Sequence, residues 1–200
     1  MKLFIFTRSF PYDGAKEQSF LRKEIDVLKL HFDSIVIIPQ DTDGHLYDLP
    51  EGVFHDDTLA ERLKRNKSIS KLLLYLDSKL IIELLCNIRT IFSLRALRNM
   101  LSYGCASNII REWVTEYIRK ESLELDKCVF YTYWNDVATL GIARSKTVYQ
   151  NLCLASRAHG IDLYEERHPC AYIPFRKFMI PLADALFPDS EAGNEYLLKK

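Results

Sequence analysis

Five short apolar runs constrain this chain more than anything else in it. Residues 2–7 (KLFIFT), 34–39 (SIVIIP), 129–133 (VFYTY), 152–158 (LCLASRA) and 185–187 (ALF) are nearly continuous in apolar side chains. A strand wet on one face alternates apolar and polar residues. An unbroken run suits a strand buried on both faces, as in a parallel sheet covered by helices. The intervening stretches carry helical spacing. In 16–30, Phe20, Leu21, Ile25 and Leu28 fall on one face. Residues 59–121 read as three or four helices, with breaks near 66–68, at Ser93 and at Gly104. Residues 136–146 fit a helix with Asn135 or its neighbour as N-cap. A short helix is expected at 174–182 and a last one at 191–200, capped by Ser190; a short strand is expected near Val53. The first forty residues form a βαβ unit. The fold class is therefore α/β: one domain over residues 1–200, with a parallel sheet and helices on both faces.

Charge narrows the classes of partner. The formal net charge is zero, but residues 1–59 carry six Lys/Arg against eleven Asp/Glu, and residues 60–122 carry twelve against six. The run RLKRNKSISK at 62–71 has no acid until Asp77. Followed by the amphipathic stretch 72–92, it suits the anionic face of a membrane, although most charge runs are solvated faces. That stretch is interrupted by Asp77, Lys79, Glu83 and Arg89, so it is not a spanning helix. MKLFIFTRSF lacks the length and cleavage site of a signal peptide. The five cysteines show no paired spacing and read as reduced thiols. A cytoplasmic chain is expected, peripheral at most to the inner face of the membrane, with no nucleic-acid partner and no metal.

In a parallel sheet, ligands bind beyond the C-terminal ends of the strands. The loops there are 8–17, 133–136, 159–167 and 188–191. There is no GxGxxG and no GxxxxGK[ST], so a dinucleotide or P-loop site is not expected. The stretch LASRAHGIDLYEERH goes abruptly from apolar to polar, and Gly160 permits a sharp turn. Two readings of His159 stay open: a site residue at a strand end, or a satisfied turn histidine. Asp162 either caps the next helix, the favoured reading, or orients His159. Tyr133 and Trp134 fit a site edge or the core. Arg157 ends an apolar strand and needs a partner if buried.

FPYDGAKEQSFLRKEIDVL, IVIIP, YTYW, SRAHGIDLYEER and ADALFPDSEAGNEYL, in that order, resemble the N-terminal half of bacterial family 4 glycosyltransferases, and the match spans nearly the whole chain. The resemblance implies a Rossmann-like domain, the acceptor-binding half of a GT-B fold. These are retaining enzymes that transfer a sugar from a nucleotide-sugar donor to a glycan or lipid-linked acceptor in polysaccharide biosynthesis. The donor-binding half has no counterpart here, so no cofactor is expected on this domain and the chain is expected to be part of a longer enzyme. The resemblance makes His159 the catalytic residue at the cleft floor. Around it would converge Arg8, Ser9, Tyr12, Asp13, Gly14, Glu17, Tyr133, Trp134, Asn135, Arg157, Gly160, Asp162, Tyr164 and Arg167. One departure is visible: the family form has two adjacent glycines in the first loop, and here Gly14 is followed by Ala15. Alternatives are a non-catalytic Rossmann-like module that binds sugar or a membrane surface, and a fragment of a nucleotide-sugar-modifying enzyme.

Overall fold

The computed structural model describes residues 1–66 and 77–199. Of the basic run at 62–71 and the amphipathic stretch at 72–92, residues 67–76 lie outside the described residues. Six strands form one sheet: β1 Lys2–Thr7, β2 Ser34–Pro39, β3 Val53–His55, β4 Cys128–Thr132, β5 Cys153–Ala158 and β6 Ala185–Pro188. Their order is β3-β2-β1-β4-β5-β6, and every pairing is parallel. The chain has a Rossmann-like fold.

The strand β1 shows why the runs are continuous. Leu3 and Ile5 face helix α1, Gln18–Leu28, and join Leu21, Ile25, Ile35 and Ile37. Phe4 and Phe6 face the other way, toward Phe130, Leu154, Trp113 and Ile118. All four β1 side chains are at most 2% exposed. Burial of such a side chain contributes roughly 1.5–3 kcal/mol, so either face of β1 is worth several kcal/mol.

The second face is covered by α2 (Thr58–Arg65), α4 (Leu94–Lys120) and α5 (Val137–Ser145). α3 is Ser78–Cys86, and short helices α6 (Gly160–Leu163) and α7 (Arg176–Met179) precede β6 and α8, Glu191–Leu198. Caps mark the ends. Ser93 accepts from Ala96 N, Asp136 from Ala138 N and Ser190 from Gly193 N. The expected cap Ser190 is observed, and the cap of α5 is the neighbour of Asn135.

Two expectations are corrected. Gly104 does not break a helix, because α4 runs unbroken for 27 residues. A Cβ there would lie 2.6 Å from Leu80 Cδ2, so the glycine serves the close approach of α3 to α4. Phe20 is 66% exposed and does not share the buried face of α1. In the basic run, Arg62 pairs with Glu112 at 2.9 Å and Glu116 at 2.6 Å on α4.

α4 is about 40 Å long at 1.5 Å per residue, whereas six-residue strands span about 20 Å. Its later part, from Ile110 to Ile118, packs on the sheet. Its earlier part packs instead on α3 and α7 through Met100, Cys105, Leu80, Phe175 and Met179. The early turns of α4 therefore stand beyond the strand ends, beside the loops that carry the candidate residues.

Candidate functional site

After β1 the chain turns toward β2, and after β4 it turns toward β5. Loops diverging from adjacent parallel strands leave a crevice, which is where such sheets bind ligands. Residues after β1, β4 and β5 line this rim.

His159 follows the last residue of β5 and occupies the N-cap position of α6. Asp162 sits in the third position of that helix and reaches back. Its Oδ1 accepts from His159 N at 2.5 Å, and its Oδ2 accepts from Asn135 N at 2.7 Å. Asp162 thus caps α6, but from its third position rather than as the N-cap residue, and in doing so it fixes the backbone of His159 and ties it to the loop after β4. The imidazole lies on Trp134, with ring centroids 4.4 Å apart, and on Tyr133, at 5.0 Å. Its Nδ1 is buried without a hydrogen bond, 3.9 Å from Asp162 Oδ2.

Below Trp134 is a hydroxyl cluster. Thr132 Oγ1 lies 2.7 Å from both Thr139 Oγ1 and Ser156 Oγ, and Thr139 Oγ1 donates to the Trp134 carbonyl at 3.0 Å. The Trp134 loop is pinned from beneath, which fixes the platform under His159.

Arg8 completes the rim. Its guanidinium lies 5.4 Å from the Trp134 ring centroid and 3.6 Å from Asp136 Oδ2. Gln40, just past β2, donates to the same Asp136 oxygen at 3.3 Å. Burial pushes the Asp136 carboxyl up from its ordinary pKa, and Arg8, the Ala138 N–H and the Gln40 amide oppose that. Burial also raises the Tyr103 hydroxyl well above the ordinary range, and the charges of Asp136 and Asp162 add to it. Tyr103 OH, Trp134 Nε1 and Asn135 Oδ1 are buried without partners, as is His159 Nδ1. Four unmatched polar atoms around one rim are unusual, since most buried polar groups are paired.

Gln40, Tyr103 and Asp136 are absent from the residues singled out by sequence. Asp136 was visible as a helix cap and Gln40 as the first polar residue after a buried strand. Nothing local marks Tyr103, inside a long helix.

The expected convergence is only partial. Arg8, Tyr133, Trp134, Asn135, His159 and Asp162 come together. Glu17 does not line a cleft. It is 2% exposed, and its Oε1 accepts from the backbone N–H groups of Arg8, Ser9 and Phe10 at 2.9, 2.9 and 3.2 Å. Ser9 is thus a member of that clamp. Tyr12 donates to Asp57, after β3, at 2.5 Å, and burial followed by that bond pushes its pKa to about 12. Asp13 N donates to the His45 carbonyl. Both are drawn toward the β3 side, four strand spacings or about 19 Å from β5. Gly14 has φ +76° with nothing within 4 Å of a Cβ, so it serves the turn rather than a close approach.

Arg157 has the partner its position requires, Glu24 Oε2 at 2.7 Å, but it faces α1 and meets the rim only through the Tyr133 ring, 5.4 Å from its guanidinium. With Glu24 it lines a cavity of about 500 Å³ on the α1 face of the sheet, away from His159. Tyr164 packs edge-on against Tyr196 of α8, at 4.9 Å. Gly160 makes no left-handed turn; a Cβ there would collide with Arg167 Nη1. It leaves room for that guanidinium. Among the described residues no group of three or more His, Cys, Asp or Glu could hold a metal ion.

No protein-family model matches the chain, and no curated protein matches it in sequence.

Proposed function

We propose that this chain is the acceptor-binding half of a retaining glycosyltransferase. The donor, a nucleotide sugar, would be held by a second half that these 200 residues do not contain. The observation that carries the reading is His159, fixed at the rim of a parallel sheet between Trp134 and Tyr133. Retaining transfer develops positive charge on the sugar ring and negative charge on the departing phosphate. A preorganised imidazole that hydrogen-bonds a sugar hydroxyl favours that charge separation, because it does not reorganise during the reaction. Arg8 supplies a cation at the same rim. Asp162 acts through the His159 backbone and is a positioning residue.

Calorimetric titration of this chain with UDP- and GDP-sugars tests the division of labour. Binding weaker than micromolar and no sugar transfer are expected from this half alone. Micromolar or tighter binding would put the donor site here and overturn the reading.

The proposed acceptor is a glycan or lipid-linked glycan, and the proposed location is the cytoplasmic face of a membrane. No helix among the described residues is long and apolar enough to cross a membrane. Support for peripheral contact comes from Ile81, Ile82, Leu85, Ile88, Phe92 and Leu94, each more than half exposed and close together in the chain. With Arg89 and Arg95 beside them, they suit insertion into an anionic surface. Flotation on anionic vesicles, with less recovery on neutral ones, is the expected result. Failure on both would leave only a soluble glycan acceptor.

A further inference from the structure

A cavity of about 470 Å³ opens between the early turns of α4 and the segment after α6. Arg95, Arg98 and Ser102 line it from α4, at the spacing that one helix face requires. Ile161, Arg167 and His168 form the opposite wall. Arg95, Arg98 and Arg167 have no carboxylate partner among the described residues. The acids next to Arg167 in sequence are engaged elsewhere. Glu165 lies 3.8 Å from Arg176 Nε, and Glu166 accepts from the Tyr196 hydroxyl at 2.8 Å. His168 Nε2 meets the Ile161 carbonyl, which sets the ring in the wall. Gly160 lets the Arg167 guanidinium lie close over the start of α6, one residue from His159.

Three guanidinium groups around one opening repel each other, and an anion between them reverses the sign of that energy. Guanidinium forks match phosphate oxygens and make two hydrogen bonds at once. The cavity volume is that of a small-ligand site. We propose that this cavity binds the phosphate of the acceptor, a phosphate monoester or diphosphate. Only the word acceptor rests on the transferase reading; the phosphate site stands on the cavity. A phosphate seated here leaves the group attached to it beside α6, the helix whose N-cap is His159. Its source is a phosphorylated lipid, given the exposed apolar residues just before Arg95, or a soluble sugar phosphate.

The test titrates this chain at low ionic strength with inorganic phosphate, pyrophosphate and glucose 1-phosphate. In parallel it measures binding to phosphatidylcholine vesicles with and without phosphatidic acid. Saturable phosphate binding is expected, weakened about tenfold or more in the Arg95→Ala/Arg98→Ala double variant. Arg119→Ala, which removes a cation from the last turn of the same helix, is expected to bind as wild type does. Arg167→Ala should weaken binding as well. Binding confined to phosphatidic acid vesicles and lost in the double variant identifies a lipid phosphate. Binding of the soluble probes without vesicle preference identifies a soluble one. The proposal is overturned if wild type binds neither, or if the double variant, melting as wild type does, binds equally well. Phosphate binding by a chain whose complete protein transfers no sugar would keep the pocket and remove the transferase reading.

Discussion

His159→Ala, made in a protein that joins this chain to the proposed donor-binding half, is expected to lower turnover by about two to three orders of magnitude, the range that single preorganised donors contribute. The fold should survive. The bonds that build this corner are made by the backbone N–H of His159 and by Asp162, and the substitution leaves both in place. Tyr133 keeps its contact with Arg157, and Trp134 keeps its carbonyl bond to Thr139. Thermal melting close to wild type, with kcat reduced far more than KM is raised, is the expected pattern, because the imidazole is asked to act on charge that develops in the transition state. A phenylalanine in place of His159 would fill the ring's position on Trp134 without a hydrogen bond, so His159→Phe should be as inactive as His159→Ala. If either variant transfers sugar at the wild-type rate, His159 is a ring that packs Trp134 and no more.

The frame of this fold was legible because its cause is local. The runs at 2–7, 34–39 and 129–133 are apolar since both faces of the sheet are covered there, and that leaves a mark in consecutive residues; the run at 185–187 is an edge strand whose Phe187 is 55% exposed. The spread of the rim was not legible. Six strands at about 4.8 Å put five spacings, about 24 Å, between the outer loops, and a loop of ten residues serves neighbours on either side. The first loop divides in this way. Arg8 goes to Trp134 and Asp136 on one side, and Tyr12 goes to Asp57 on the other. Nothing in RSFPYDGAKEQ says which residue takes which side. Asp162 was legible as a capping acid but not in its position. An acid two residues past a glycine fits the N-cap of a helix or its third position, and the bond to His159 N decides for the third; its other bond, to Asn135 N 27 residues earlier, leaves no local mark. In the sequence Gly104 and Gly160 fit a helix break and a sharp turn, but both make room for a side chain, Leu80 and Arg167, whose approach only the fold sets.

Glu17→Ala is expected to destabilise the chain by about 3–5 kcal/mol, the cost of removing a charge-assisted acceptor from buried donors. One oxygen of Glu17 accepts from three consecutive N–H groups, those of Arg8, Ser9 and Phe10, in a concave backbone arrangement that favours an anion. Phe10 is 1% exposed, so water cannot easily replace the lost acceptor at its N–H. The same turn is fastened by Thr7, whose hydroxyl donates to the Phe10 carbonyl at 2.5 Å. That bond remains and limits the loss. For a chain of this size each kcal/mol lowers Tm by about 2–4 °C, so a fall of about 10 °C is expected in thermal melts followed by circular dichroism. Glu17→Gln keeps an amide oxygen for the three donors but removes the charge, and should lose roughly half as much or less. The clamp also carries Arg8 to the Trp134 ring, so below its melting temperature Glu17→Ala should already change the tryptophan fluorescence, and Glu17→Gln should change it less. A Glu17→Ala protein that melts within about 2 °C of wild type, where less than 1 kcal/mol is at stake, would mean that solvent satisfies the loop and that the carboxylate is available at the rim after all.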